Sequence, residues 1–271
     1  MLGKLIKYDL RYMIRRFGPL WLGLAAVSML NGFTIRQLDS GKLEGTMLYI
    51  VGIMPLIVLF ALWVAVAVLT LTYICERFYK GLLGDEGYLM FTLPVTTSEH
   101  IASKTVTALI LQIATGIVGI CSWALLMVVY RPAWVSFFFE VLPEFWAGVR
   151  QVPLWFWLEL LVLALVSAAS QTLHIYAAIS LGHMAKKHRA GWAFVAYVGI
   201  SMAQSMLMSG LVPLLANIPD EWFFYMDRYG LHGMKWVGAA ALGVTILWQL
   251  VKCAAFFFGS EYILKNKLNL E

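Results

Sequence analysis

Residues 47–74 read MLYIVGIMPLIVLFALWVAVAVLTLTYI, with no charged side chain anywhere in the run. A bilayer core of roughly 30 Å takes about 20 apolar residues in helical form. Helix is the form the stretch must take, because lipid satisfies no backbone N–H or C=O and a helix satisfies its own. Working outward, five more stretches meet the same length, at 17–35, 105–130, 155–183, 190–216 and 236–258. Arg36, Glu76, Lys104, Arg131, Lys186 and Lys235 stand just beyond the ends, where charge reaches water or headgroups. Tyr130, Trp134, Trp155, Trp157, Trp192 and Trp236 sit near the same borders, as amphipathic rings prefer.

Composition leads to the same place. The 271 residues are 61% hydrophobic and only 13% charged, with a mean hydropathy of +0.79. That is more apolar surface than a soluble domain of this length can hide. The expected fold class is therefore all-α: a polytopic integral membrane protein, one transmembrane domain over 1–271 with six transmembrane helices.

Basic residues set the orientation. With the amino terminus inside, the inner segments hold thirteen Lys and Arg and the outer loops six, with Lys252 left within the last span. The positive-inside rule then places both termini in the cytoplasm. The net charge of +5 is explained by this topology, and no basic patch with interleaved aromatics points to nucleic acid. Cys75, Cys121 and Cys253 lie in or beside spans without metal-ligand spacing and read as free thiols. The first sixteen residues alternate basic and apolar types and lead into a span, so no cleavable signal is expected.

Residues 1–16 read as a helix with two faces, Leu2, Leu5, Ile6, Met13 and Ile14 against Lys4, Lys7, Arg11 and Arg15. Such a segment suits the inner membrane surface. Gly18 and Pro19 would then bend or break it into an amphipathic elbow ahead of the first span, the alternative being a plain extension of that span.

Residues 76–104, ERFYKGLLGDEGYLMFTLPVTTSEHIASK, form the largest inner loop. Asp85 and Glu86 lie between Gly84 and Gly87 and suit a helix amino terminus, where free N–H groups and the dipole favour negative charge. A short helix over 85–93 would end at Pro94 and offer Tyr88, Leu89, Met90, Phe91 and Leu93 as an apolar docking patch. Thr97 or Ser98, with Glu99 close behind, would start the next helix. The outer loop over 132–153 holds Trp134, Phe137, Phe138, Phe139, Phe145 and Trp146 and should rest at the interface as one or two short helices. The loop over 217–235 reads similarly, and both suit either capping a central pathway or anchoring the chain in the membrane.

At the 76–104 loop the sequence resembles the ABC type-2 permease family of bacterial exporters. The residues that carry the likeness are Tyr88, Thr92, Leu93, Pro94, Val95, Thr96, Ser103 and Lys104, together with six spans and an amino-terminal elbow. A weaker likeness is to compact Gram-positive permeases that export amphipathic peptides of the phenol-soluble-modulin kind or confer resistance to antimicrobial peptides. The resemblance implies a bacterial cytoplasmic membrane protein, dimeric with a second permease subunit of the same or a different kind. Two cytoplasmic ABC ATPase subunits would drive it. Residues 85–93 would be the coupling helix, with Asp85, Glu86, Tyr88, Leu89, Met90, Phe91 and Leu93 meeting the ATPase. ATP and Mg would be bound by that partner, and no cofactor by this chain. The chain has no Gly-x-x-x-x-Gly-Lys-Ser/Thr loop, and Gly41-Lys42 lacks both the glycine spacing and the hydroxyl. The outer loop over 132–153 is larger than in small family members.

Polar residues recur at helical spacing in the last three spans: Ser167, Ser170, Gln171 and His174; Ser201, Gln204, Ser205 and Met208; Thr245, Gln249 and Lys252. In lipid such groups turn toward the bundle interior or a wet cavity. They line a substrate pathway or merely join helices by hydrogen bonds. Met202, Met206 and Met208 would add an adaptable apolar lining. Glu159 and Lys252 are the full charges within spans, each near an end of its span and able to reach toward water. Glu159 and His174 lie about 22 Å apart along one helix, too far for direct proton transfer. No nucleophile with a nearby base, no carboxylate pair and no zinc-like cluster is visible, so a non-catalytic subunit is expected. Its rivals are an ion-coupled carrier and a non-transporting sensor or structural subunit.

Overall fold

The structure, a computed structural model, describes residues 2–39, 46–84, 96–185, 187–216 and 220–266. The described chain is helical, with no strand among those residues. Helix α1 runs Leu2–Asp39 and α2 Thr46–Phe78, which widens into a π-helical turn at Tyr79–Leu83. Next come α3 (Thr97–Tyr130), α4 (Ala133–Gln151), α5 (Leu154–His183), α6 (Arg189–Ala216) and α7 (Asp220–Asn266). Six of these are long and apolar enough to cross a membrane, and α4 is the exception.

Burial runs in the inverse sense to that of a water-soluble protein. Ser28, Asn31, Thr70, Ser122, Thr172 and Ser260 are buried, while Leu22, Phe60, Ile120, Phe194, Met206 and Val244 are among many exposed apolar side chains. Several buried hydroxyls are satisfied within their own helices: Ser28 donates to the Leu24 carbonyl at 2.8 Å and Thr70 to that of Val66 at 2.7 Å. Lipid accepts the apolar exterior, and the protein interior keeps the groups that lipid cannot bond.

The contacts gather into two units. The first comprises Met1–Ile74 and Val106–Val152. Its core joins Leu24, Leu59 and Leu126, flanked by Val27, Ile35, Leu62, Trp63, Val118 and Met127. Close approach is bought by glycine. A Cβ on Gly32 would lie 2.6 Å from the Leu126 carbonyl oxygen, and one on Gly119 would enter the Trp63 ring.

The expected elbow over 1–16 is not set off by a break, since α1 passes through Gly18 and Pro19 as one helix of 38 residues. A proline forfeits one backbone bond and presses on the carbonyl four residues back. Here the turns on either side are held, with Met13, Phe17 and Leu24 all buried. Nor does the amphipathic start keep its inward-turned face free for lipid. Asp9, Met13 and Phe17 are buried at successive turns, and Phe17 meets Tyr73 of α2 edge-on with centroids 5.3 Å apart. The Arg16 guanidinium lies 5.9 Å from the same ring.

The expectation of one or two short helices over 132–153 is met by α4, a single helix of 19 residues. Phe138, Val141 and Phe145 share one exposed side, with Ser136, Glu140 and Glu144 opposite. The region over 217–235 differs from expectation, because α7 begins at Asp220 and continues without interruption for 47 residues. The part of α7 that is long and apolar enough to cross a membrane is Gly238–Asn266, against the expected 236–258.

The second unit comprises Cys75–Thr105 and Pro153–Glu271. Helix α5 is its central post and packs against both α6 and α7. From Ser170 to Gly182 it is buried on nearly every side: Ser170, Thr172, Leu173, His174, Tyr176, Ala177, Ala178, Ser180 and Gly182. A helix enclosed all round has no single apolar face. Its turn into α6 is short and places His188 at φ 54, with the His188 carbonyl accepting from Trp192 N–H at 3.0 Å.

Candidate functional site: a collar and a polar seam in the second unit

Two constellations lie on different sides of α5. The first is a collar around the ends of the loop between α2 and α3. Phe78 and Tyr176 are fully buried and stack in parallel with centroids 4.0 Å apart. The Tyr176 hydroxyl donates to the Lys104 carbonyl at 3.2 Å. Lys104 is only 3% exposed, and a Cβ on Gly81 would touch its Cε at 3.5 Å. His100 and Ser103 are buried beside it along α3.

The return from the loop is capped by Thr96. Its N–H donates to Glu99 Oε2 at 2.9 Å while Glu99 N–H donates to Thr96 Oγ1 at 3.3 Å. This is a reciprocal capping box, one residue ahead of the expected Thr97 or Ser98. The reason is spacing, since Glu99 is three residues beyond Thr96 and the box needs that interval. The expected coupling residues Asp85, Glu86, Tyr88, Leu89, Met90, Phe91 and Leu93 lie outside the described residues.

The second constellation is a seam where α6 and α7 meet α5. The His174 ring, 3% exposed, is held between Tyr197 at 4.5 Å and Phe256 at 5.0 Å, both nearly parallel to it. His174 also hydrogen-bonds the Tyr197 backbone and feels the charge of Lys252. Gly182 abuts Ala193 of α6, so α5 and α6 run antiparallel in close contact. Carrying the His174–Tyr197 pairing on by one and two turns sets Ser170 level with Ser201, and Ser167 level with Gln204.

The register with α7 is parallel. Cys253 Sγ donates to the Val166 carbonyl at 3.6 Å and reaches Ser170, and Phe256 lies on His174. Two turns further along, Gln249 is level with Ser167. The seam thus stacks an aromatic layer (Tyr197, His174, Phe256), a small polar layer (Ser170, Ser201, Cys253) and an amide layer (Ser167, Gln204, Gln249). Three of its polar atoms are sealed from solvent and bonded to nothing within the protein: His174 Nε2, Gln204 Nε2 and Gln249 Oε1. Such atoms are costly in a low-dielectric interior.

The polar stripes read from sequence are therefore split. Ser170 and His174 are buried, and Ser167, Ser201, Gln204, Gln249 and Lys252 are half-buried. Gln171, Ser205, Met208 and Thr245 are exposed, as are Met202 and Met206. Ser201 and Thr245 direct their hydroxyls to their own helices, at the Tyr197 and Ala241 carbonyls.

Lys252 lies half-buried within the apolar stretch Gly238–Asn266 of α7. Among the described residues no carboxylate pairs with it. Glu159 lies near the start of α5, with Oε2 sealed and unbonded. Tyr197, Cys253, Phe256 and Tyr176 were not marked by the stripes. Tyr197–Ser201–Gln204 and Gln249–Cys253–Phe256 do share the alternating three- and four-residue interval of a packed helix face.

Elsewhere, Pro143, Trp146, Ala147, Val149 and Arg150 of α4 border a shallow groove of about 510 Å³. Among the described residues no group of His, Cys, Asp and Glu is placed to hold a metal. In comparisons with known proteins, no family model, no curated protein and no solved structure matches this chain.

Proposed function

We propose that this chain is the membrane subunit of an ATP-driven exporter, with amphipathic peptides or other lipid-like amphiphiles as its cargo. The observation that carries the reading is the collar. The loop over 85–95 begins at a buried π-helical turn and ends at a capped helix, and both ends are locked to α5 through Phe78, Lys104 and Tyr176. A partner that moved the loop would pull on the central post of the second unit, and through it on the seam.

In this reading both termini and the loop face the cytoplasm of a bacterial cell. Residues 85–93 dock on a separate ABC ATPase, which holds ATP and Mg. The chain itself is non-catalytic and pairs with a second permease subunit. The resemblance at Tyr88, Leu93, Pro94, Ser103 and Lys104 supports the assignment. Purifying the intact protein from its native membrane tests it. An ATPase should accompany the chain, and Met90→Asp with Phe91→Asp should release it. Absence of any ATPase, or full export by the double variant, sinks the reading.

A second reading has one observation in its favour, the sealed and unbonded Glu159 Oε2. An ion-coupled carrier needs an intramembrane acid. Gradient-driven uptake that disappears in Glu159→Gln would favour it over the exporter.

A further inference from the structure

The middle of the seam holds a cation without a counter-charge. Lys252 lies within the last candidate span, half-buried, and unpaired with any carboxylate among the described residues. A lysine within a span is costly to insert, and membrane helices that keep one ordinarily give it a partner. One turn to one side of it His174 presents Nε2, and one turn to the other the amide layer presents Gln204 Nε2 and Gln249 Oε1, all sealed and unbonded.

These groups share a level range of about two turns, roughly 10 Å. That suits one compact head bearing several oxygens. The lipid-facing side chains of the same turns are apolar: Met202, Met206 and Leu207 on α6, and Leu247, Leu250 and Val251 on α7, all exposed. A ligand with a charged head in the seam would find an apolar exterior for a tail.

We propose that Lys252, His174, Gln204 and Gln249 form a seat within the membrane for the carboxylate or phosphate head of an apolar-tailed anion. The head neutralises Lys252 and takes a hydrogen bond from the Gln204 amide. A phosphate monoester monoanion can in addition donate its remaining P–OH to Gln249 Oε1 or His174 Nε2, a bond that an ionised carboxylate cannot make. A positively charged head is repelled by Lys252, and a tail with a neutral head leaves the cation unpaired. This deepens the exporter reading by naming the head of its cargo, and it rests on that reading for the claim that the bound molecule is transported.

The test needs no ATPase. The intact chain in phosphatidylcholine nanodiscs is titrated with dodecanoate, dodecyl phosphate, dodecyl maltoside and dodecyltrimethylammonium, and saturable binding is measured by calorimetry. The two anions should bind at least tenfold more tightly than the neutral and cationic probes. Whichever anion binds tighter identifies the head as carboxylate or phosphate. Lys252→Met should weaken both anions tenfold or more and leave the maltoside unchanged, while Lys252→Arg should retain them.

Lys252→Met removes a charge from a span and should melt no lower than the parent, and Gln249→Leu gives a second variant with a several-fold loss. Equal partitioning of all four probes into the parent protein overturns the proposal whatever the variants do. So does anion binding that Lys252→Met leaves unchanged. Failure here with an ATPase still co-purifying discards the seat and keeps the exporter; saturable anion binding without any ATPase does the reverse.

Discussion

Replacing Gly182 by alanine should loosen the second unit, although the same change elsewhere in the unit should tighten it. A Cβ at position 182 would lie 2.5 Å from Ala193 Cα and 2.6 Å from Ala193 Cβ. Carbon atoms settle about 3.5–4.0 Å apart, so α6 must retreat by about 1 Å. The atoms in the way are backbone and Cβ, and no side-chain torsion can relieve them. Overpacking of this kind costs about 1–3 kcal/mol, and a backbone collision belongs at the upper end. Against it stands a gain of about 1 kcal/mol for alanine over glycine within a helix.

At Gly199 of α6 a Cβ meets nothing within 4 Å, so only the gain applies. The two variants should therefore differ by about 2–3 kcal/mol, or several degrees in melting temperature for a chain of this size. The assay is thermal unfolding of the detergent-solubilised protein followed by tryptophan fluorescence. Gly182→Ala should melt below the parent and Gly199→Ala at or above it. If Gly182→Ala melts as high as Gly199→Ala, α5 and α6 do not meet at Ala193, and the close packing of the two helices beside the seam falls with that contact.

Three further outcomes follow from single contacts. Thr96→Ala removes the cap of α3 and should cost about 1 kcal/mol, with faster amide exchange at positions 97–99 and recovery in Thr96→Ser. Tyr176→Ala empties a fully buried site against Phe78 and should lower stability by about 3–5 kcal/mol; Tyr176→Phe loses only the bond to the Lys104 carbonyl, about 1 kcal/mol. At φ 54, His188→Gly should hold or raise the melting temperature by up to about 1 kcal/mol of stability, and His188→Val should lower it, since a β-branched side chain is poorly tolerated there.

The spans were legible because length and apolar composition decide them before any packing is known. Helix ends were less so. Proline at position 19 looks like a break in sequence, but a proline within a helix is tolerated when the flanking turns are packed, as Met13 and Phe17 are. The aromatic run over 222–225 looks like an interfacial loop and lies within α7, because helix and interface both accommodate such rings. The Thr96 cap was one residue away from the expected one, a difference that only the Glu99 bond resolves.

In the seam, spacing found the polar residues without finding which of them face inward. Ser170 and Gln171 are neighbours in sequence, yet one is buried and the other exposed. The inward direction is set by Gly182 and the rings around His174. With aromatics making up 14% of the chain, Tyr197 and Phe256 carry no local mark of their role.

The central claim is that energy from a separate ATPase enters through the loop between α2 and α3. A photo-crosslinking amino acid placed at Met90 in the intact protein, irradiated in its native membrane and followed by mass spectrometry, tests it most directly. The account predicts a crosslink to a protein carrying a Gly-x-x-x-x-Gly-Lys-Ser/Thr loop, lost when Phe91 is changed to Asp. Crosslinks confined to lipid, or to proteins without such a loop, would contradict it.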